Sequence, residues 1–180
     1  MKAMILAAGY GKRMMPLTEN LPKPLLKIGN ESLIERNINA LLAAGFNDII
    51  INVSYLGSKI KKHVLEVFPN ANISFSEEEI PLGTGGGVLN AIGLLGKDPF
   101  LLINADIYHQ INLKDIKQNV DIAHLVGVEN PDHNVDGDFS LNADQVSISN
   151  NLNECTWSGI SIINPIIFDE LKIEDAPLVA

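Results

Sequence analysis

The feature that most constrains this chain is a short apolar run that opens into a glycine-rich, basic loop within the first 24 residues. Residues 4–8 are apolar, and the chain continues as Gly9-Tyr10-Gly11-Lys12-Arg13-Met14-Met15-Pro16-Leu17-Thr18, with Pro22-Lys23-Pro24 just beyond. Residues with little or no side chain let backbone N–H groups approach an anion closely, and the basic side chains supply positive charge. The pattern predicts a phosphate-binding loop at the end of a buried strand, with a nucleoside triphosphate as its ligand.

Two better-known phosphate-binding loops do not fit this stretch. A dinucleotide-binding fingerprint requires a third glycine or an alanine, and Met14 stands at that position. A Walker loop requires serine or threonine after its Gly-Lys pair, and Arg13 stands there. The loop therefore belongs to a different class of phosphate-binding sequence.

Charge narrows the class of ligand. The chain has 180 residues, of which 46% are hydrophobic, and a net charge of −9. One compact domain with a substantial core is expected, and the net negative charge argues against a nucleic-acid polymer as partner. Between Gly9 and Gly29, however, four basic residues stand against Glu19 alone. This local excess favours a small polyanion as partner.

The cysteine content and the N-terminal residues indicate the cellular compartment in which the protein is expected. Cys155 is the single cysteine and allows no internal disulfide. The N-terminal residues show neither a signal-peptide pattern nor an apolar span long enough for a membrane. We expect a cytoplasmic protein without membrane contact. The four histidines do not show the spacing of zinc ligands, and we interpret them as structural residues rather than metal ligands. They are His63, His109, His124 and His133.

Strands and helices alternate along the first part of the chain. The apolar pattern predicts strands over residues 2–7, 48–53, 72–76 and 100–104. Helices are predicted from a capping box at Ser32-Leu33-Ile34-Glu35 to Gly45, over residues 58–68, and over residues 88–95. This order indicates an α/β fold with a mostly parallel, doubly wound, Rossmann-like sheet and helices on both faces. Ligands of such sheets bind beyond the carboxyl ends of the strands, where the glycine-rich loop and Asp106 both lie.

The pattern changes to strands with polar turns from residue 122 onward. Strands are predicted over residues 122–128, 139–141, 146–148 and 156–163, and residues 129–138 are interpreted as a mobile flap. We therefore expect a single domain over residues 1–180. Its nucleotide-binding half covers about residues 1–120, and a smaller, strand-rich half that binds the acceptor covers about residues 121–180.

Four segments, in order, resemble the signature of the sugar-1-phosphate nucleotidyltransferases. They are the loop from Leu6 to Thr18 with Pro22-Lys23-Pro24-Leu25, then Pro81-Leu82-Gly83-Thr84-Gly85-Gly86-Gly87, Asn104-Ala105-Asp106 and Trp157-Ser158-Gly159-Ile160. Within the family the chain is most similar to the N-acetylmuramate 1-phosphate uridylyltransferases, which implies UTP and a sugar 1-phosphate as substrates in cell-wall sugar recycling. A glucose-, mannose- or phosphocholine-type nucleotidyltransferase, with UTP or another nucleotide, and a non-catalytic nucleotide-binding module stay open as alternatives.

The resemblance also assigns roles to individual residues. It implies a catalytic set of Arg13, Lys23 and Asp106, with Asp106 as a ligand of Mg²⁺. The nucleotide-binding set it implies is Leu6, Ala7, Ala8, Gly9, Gly11, Arg13, Lys23, Pro81, Gly83 and Gly85. The sugar-binding set is Asn104, Glu129 and Gly159, with Asp136 and Asp138 as weaker candidates.

Several of these segments also have simpler structural interpretations. Residues 83–87 would serve equally as a wide turn before a helix, and Trp157-Ser158-Gly159-Ile160 as a core strand with a bulge at glycine. The family pattern includes a second metal-binding carboxylate after a later strand. No segment before Ala180 matches it, so the family's C-terminal segment is expected to be lacking, and acidity alone does not assign Glu174 or Asp175 to the role.

Overall fold

The computed structural model describes residues 1–116, 118–143, 145–149 and 152–171. Within these ranges, six strands form the central sheet: β1 (Ala3–Leu6), β4 (Asp48–Val53), β5 (Asn72–Glu77), β6 (Phe100–Asn104), β7 (Ala123–Glu129) and β10 (Cys155–Ile163). Two short antiparallel ladders lie outside it, formed by β2 (Lys27–Ile28) with β3 (Glu31–Ser32) and by β8 (Ser140–Asn142) with β9 (Gln145–Ser147).

The sheet is mostly parallel, as the sequence predicts. Its strand order is β5-β4-β1-β6-β10-β7, and the first four strands of that order run parallel to one another. Strand β10 runs antiparallel to both of its neighbours. Strand β6 lies inside the sheet, so the residues that follow it emerge beside the end of β1.

Helices cover both faces of the sheet. Helices α1 (Leu33–Ala43) and α2 (Gly57–Val67) pack against one face, and α3 (Gly83–Leu95) packs against the other. Successive strand residues point to opposite faces, so Ile5 joins the core under α1 and α2 while Met4 joins the core under α3. In the described part of the chain, no helix combines the length and apolarity needed to cross a bilayer.

Helix α1 begins with the predicted capping box. The Ser32 hydroxyl accepts a hydrogen bond from the Glu35 N–H at 3.3 Å, and the Glu35 carboxylate accepts one from the Ser32 N–H. His63 of α2 lies 3.3 Å from the same carboxylate. Burial acts to raise the pKa of Glu35, but the Ser32 hydrogen bonds and the neighbouring His63 and Lys27 outweigh it and lower that pKa below its usual value.

The start of helix α3 differs from the prediction. The sequence predicts a glycine loop followed by a helix over residues 88–95, whereas the helix begins at Gly83 and its first turns contain the glycines. Each glycine disfavours a helix by about 1 kcal/mol relative to alanine, so the local pattern does not reveal this start. Close packing explains the glycine at position 87, because an added Cβ there would lie 2.7 Å from Nδ2 of Asn52.

All of the predicted strands agree with strands of the structure to within one residue at each end. The ladder of β2 and β3 is not predicted, because strands of two residues are too short to show an alternating pattern. Strand β10 carries the predicted bulge, since its pairing with β7 shifts between Trp157 and Ser161. Gly159 lies inside the bulge with φ +85°, and the Trp157 indole closes it by donating to the Ser161 hydroxyl at 2.9 Å.

Candidate active site

A cavity of about 530 Å³ opens beyond the carboxyl ends of β1, β4 and β6. Residues 6–14 and 23–24 form one wall, and Pro81, Gly83 and Thr84 form another. Asn52, Asn104 and Asp106 complete the lining. Most of the predicted catalytic and nucleotide-binding residues therefore surround one space, and Gly85 is the one predicted nucleotide-binding residue outside that lining.

The loop after β1 is held in shape by Gly11 and Thr18. Gly11 has φ +64°, and an added Cβ would lie 3.1 Å from Cγ2 of Thr18 and 3.3 Å from Cβ of Lys23. The Thr18 side chain is fully buried, and its hydroxyl donates a hydrogen bond to the Gly11 carbonyl at 2.8 Å. This close packing folds the loop back so that Arg13 and Lys23 reach the same cavity.

Lys23 and Asp106 form an ion pair inside the cavity. Lys23 begins a short 3-10 turn between Pro22 and Pro24, and Asp106 lies two residues after β6. Their side chains are 28% and 34% exposed, so both groups stay accessible to a ligand.

The chemistry of the donor set fits Mg²⁺ better than a transition metal. Among the described residues, no group of three or more histidine, cysteine, aspartate or glutamate side chains is placed to hold a metal ion. Mg²⁺ commonly takes one or two protein carboxylates together with phosphate oxygens. Asp106 supplies one such carboxylate at the cavity wall. Glu174 and Asp175 lie outside the described residues.

The structure brings together two of the three predicted sugar-binding residues. Asn104 ends β6 and lines the cavity, and an added Cβ at Gly159 would lie 2.8 Å from its Nδ2. Glu129 ends β7, is exposed and is not part of the cavity lining. Asp138 stabilises the adjacent loop, since its carboxylate accepts from the Trp157 N–H at 2.8 Å and from the Asn134 amide at 3.0 Å.

Sequence reasoning missed two buried polar residues near the cavity, Asn52 and Glu78. Asn52 is 2% exposed and Glu78 is 7% exposed. The Asn52 carbonyl oxygen accepts from the Ala7 N–H at 2.8 Å, and its amide donates to Glu78 at 2.7 Å. The available signal was an asparagine inside the apolar run over residues 48–53, because a polar residue in a buried strand requires partners.

A third missed residue, Asn37, supports the end of β6. Asn37 of α1 is buried, and its amide nitrogen lies 3.3 to 3.4 Å from the carbonyl oxygens of Asn104, Ala105 and Ile107. These contacts surround the backbone on both sides of Asp106. Asn37 therefore helps to hold the turn that presents the Asp106 carboxylate.

Aromatic side chains cover the outer part of the loop. Tyr10 packs against Tyr55, with ring centroids 5.5 Å apart, and the Lys12 ammonium lies 5.1 Å from the Tyr10 ring. The Tyr55 hydroxyl donates to the Glu19 carbonyl at 2.8 Å. These contacts connect the loop to the segment that follows β4.

These features define a cavity lined by small and basic residues at the carboxyl end of a parallel sheet. Comparison with known proteins identifies the family of the chain. A protein-family model described as "Nucleotidyl transferase" matches residues 2–126. The chain belongs to the nucleotidyl transferase family, which confirms the sequence-based assignment to the sugar-1-phosphate nucleotidyltransferases.

Two curated relatives show the range of similarity. The chain is 42% identical over 183 residues to the N-acetylmuramate alpha-1-phosphate uridylyltransferase of Neisseria meningitidis serogroup B, covering 96% of this chain and 79% of the relative. It is 33% identical over 195 residues to the mannose-1-phosphate guanyltransferase of Aspergillus oryzae, covering 96% of this chain but 52% of that protein.

Solved structures agree with the fold. The crystal structure of HddC from Yersinia pseudotuberculosis complexed with GMP-PN matches with a TM-score of 0.78 and 29% identity, covering 98% of this chain and 80% of that one. A UDP-glucose pyrophosphorylase complexed with UDP-glucose matches with a TM-score of 0.72 at 22% identity, covering 94% of this chain and 78% of that one. The second match supports the shared fold alone.

Proposed function

We propose that this chain transfers UMP from UTP to N-acetylmuramate 1-phosphate, producing a UDP-sugar and pyrophosphate. The observation that carries the choice of substrates is the 42% identity, over 96% of the chain, to an N-acetylmuramate alpha-1-phosphate uridylyltransferase. The cavity supports it by placing a small-residue loop together with three basic side chains, those of Lys12, Arg13 and Lys23. In this role the protein would act in the cytoplasm, where it would return cell-wall sugars to the nucleotide-sugar pool.

The reaction is an in-line displacement at the α-phosphorus of UTP. A phosphate oxygen of the sugar 1-phosphate forms the new P–O bond, while the bond from the α-phosphorus to the bridging oxygen breaks and pyrophosphate leaves. The attacking oxygen is already anionic, so no general base is required. Catalysis then depends on alignment and on neutralising negative charge at the reacting phosphates.

The loop residues divide this work between backbone and side chains. Backbone groups of residues 6–11 approach the triphosphate closely, because Ala7, Ala8, Gly9 and Gly11 present little or no side chain. Arg13 binds the triphosphate, and Lys23 contacts the phosphate at which the new bond forms. Asp106 would hold Mg²⁺, which when bound supplies further positive charge to the phosphate oxygens.

The remaining predicted residues position the two organic groups. Pro81, Gly83 and Gly85 border the nucleobase at the start of α3, where missing side chains leave room for the ring. Asn104 and Gly159 face the sugar, and the proposed sugar-binding set also includes Glu129, which lies outside the cavity lining. The division into a nucleotide-binding half over about residues 1–120 and an acceptor half over about residues 121–180 is part of this proposal.

A second candidate is guanylyl transfer to mannose 1-phosphate. It is favoured by the similarity to mannose-1-phosphate guanyltransferases, which covers 96% of this chain at 33% identity in one relative. The neighbouring HddC structure is complexed with GMP-PN. The two candidates differ in both nucleobase and sugar, so a single panel separates them.

The decisive experiment measures pyrophosphate release with Mg²⁺ from UTP, GTP, CTP and dTTP, each with a panel of sugar 1-phosphates. Release with UTP and N-acetylmuramate 1-phosphate is expected. Release with GTP and mannose 1-phosphate would replace the first candidate by the second. Nucleotide binding without any release would instead indicate a non-catalytic binding module.

A further inference from the structure

A continuous chain of three hydrogen bonds, two of them buried and the third partly buried, connects the two walls of the cavity. The Ala7 N–H donates to Oδ1 of Asn52 at 2.8 Å, and Nδ2 of Asn52 donates to Oε1 of Glu78 at 2.7 Å. The other carboxylate oxygen, Oε2 of Glu78, accepts from the Leu82 N–H at 2.9 Å. We call this set of Ala7, Asn52, Glu78 and Leu82 the relay.

The relay joins the two segments to which the nucleotide site is assigned. Ala7 lines the cavity in the phosphate-binding loop, and Leu82 is the residue before α3, next to Gly83. Asn52 itself lines the cavity between them. The relay therefore spans the distance between the wall formed by the phosphate-binding loop, here called the phosphate wall, and the wall at the start of α3, here called the α3 wall.

The polarity of the relay admits one arrangement of these side chains. Both ends are backbone N–H donors, which cannot change their role. An amide such as Asn52 accepts on one side and donates on the other, so residue 78 must accept on both sides. A carboxylate at Glu78 does this, and it also lies at the N-terminal end of α3, where a negative charge is favoured.

We propose that Asn52 and Glu78 are positioning residues that hold the phosphate wall and the α3 wall at the spacing a nucleoside triphosphate requires. This inference rests on the proposed function only in taking a nucleoside triphosphate as the ligand. Side chains that are 2% and 7% exposed leave little room for water to replace a lost partner. Loss of one of these hydrogen bonds would make the spacing of the two walls variable. Part of the binding free energy of the nucleotide would then be used to order the walls, so its affinity would fall.

The polarity argument leads to a variant pair that separates positioning from mere packing. Glu78→Gln places a donor against either the Asn52 amide or the Leu82 N–H, and Asn52→Asp places two carboxylates together. The double variant Asn52→Asp/Glu78→Gln matches every donor with an acceptor again. In it, the carboxylate at position 52 accepts from the Ala7 N–H and from the new amide at position 78, whose oxygen accepts from the Leu82 N–H. All three variants preserve the approximate shapes of the side chains.

The experiment is a calorimetric titration with UTP and Mg²⁺ of the unchanged protein and these three variants, with melting temperatures recorded alongside. Each single variant is expected to weaken nucleotide binding by at least about tenfold. The double variant is expected to bind within about threefold of the unchanged protein. If Glu78→Gln binds normally, or if the folded double variant binds no better than the single variants, the inference is overturned.

A steric variant provides a second test if a single substitution prevents folding. An alanine Cβ at Gly87 would lie 2.7 Å from Nδ2 of Asn52 and 3.0 Å from Oε1 of Glu78, so Gly87→Ala pushes on the relay without changing its polarity. Gly93→Ala in the same helix is the matched control, since nothing lies within 4 Å of its added Cβ. Weaker UTP binding in Gly87→Ala alone is expected, and equal binding by the two variants would contradict the inference.

Binding, rather than turnover, keeps the two proposals distinguishable. If UTP does not bind the unchanged protein, the same titrations are made with GTP, CTP and dTTP, and the nucleotide that binds is used for the variants. Binding of none of them would overturn the proposed function and this inference together. A nucleotide that binds the unchanged protein and Glu78→Gln equally would overturn only the relay.

Discussion

The ammonium group of Lys23 contacts the carboxylate of Asp106, although 83 residues of sequence separate them. The two side chains reach the cavity from different walls, Lys23 from a turn after the glycine-rich loop and Asp106 from the end of β6. Both are about one third exposed, so the pair contributes at most about 1 kcal/mol to folding. Its importance lies in bringing a cation and the carboxylate that we propose as a Mg²⁺ ligand to one point, where phosphates are expected to react.

We expect Lys23→Ala to lower the rate of pyrophosphate release by about 100-fold or more, because the variant lacks the positive charge that we propose to stabilise negative charge in the transition state. The melting temperature should change little, since the side chain is partly solvated. The control is Lys62→Ala, which removes a lysine that is 76% exposed on α2. Equal rates in the two variants would remove Lys23 from the mechanism.

Asp106→Asn should shift the Mg²⁺ dependence of the reaction to higher concentrations by about tenfold or more, because a neutral amide binds a hard cation weakly. A direct readout is Mn²⁺ binding followed by electron paramagnetic resonance in the presence of UTP. Asp98→Asn, at an exposed position after α3, serves as the control. A metal titration identical to that of the unchanged protein would show that the ion binds elsewhere.

Gly159→Ala should disturb Asn104 and raise the KM for the sugar 1-phosphate more than the KM for the nucleotide. The added Cβ would lie 2.8 Å from Nδ2 of Asn104, and φ is +85° at this position. Gly29→Ala is a matched control, because φ is +68° there but nothing lies within 4 Å of the added Cβ. Both variants should lose about 1–2 kcal/mol of stability from the left-handed backbone, so a shared effect on KM would contradict a specific role for Gly159.

His109 should make the protein less stable as the pH falls. Burial lowers the pKa of His109, Arg36 lowers it further, and a hydrogen bond with the Ile111 backbone only partly offsets this. The unfolded chain therefore takes up the proton first. Stability contributed by the neutral imidazole is complete above the unfolded pKa of about 6.5 and is lost as the pH falls toward the folded pKa.

The measurement for His109 is the melting temperature between pH 8 and pH 5, compared with His109→Gln. The Nδ1 atom of His109 is buried away from water, so the charged imidazolium is poorly solvated in the folded protein. Between pH 8 and pH 5, the melting temperature of the unchanged protein should decrease by more than that of the variant. If the melting temperature depends on pH in the same way in both proteins, the loss of stability at low pH arises from groups other than His109.

Much of the fold could be predicted because its signals are local. The capping box at Ser32 and the strand over residues 100–104 both match the structure, since each depends on chemistry within a few residues. The start of α3 could not be predicted in the same way. Its glycines disfavour a helix locally, and the close packing of Gly87 against Asn52 and Glu78, which excludes a side chain at that position, is visible only in the tertiary structure.

By itself, the sequence determined the class of site, because small residues, basic side chains and a strand-end aspartate are properties of short segments. It also determined the alternation of strands and helices that places those segments at one edge of a sheet. Only the tertiary structure decided which polar groups meet: Lys23 with Asp106, Gly159 with Asn104, and Asn52 with Glu78. These contacts span 26 to 83 residues and arise from strand order and helix packing, which bring together groups that no local pattern relates.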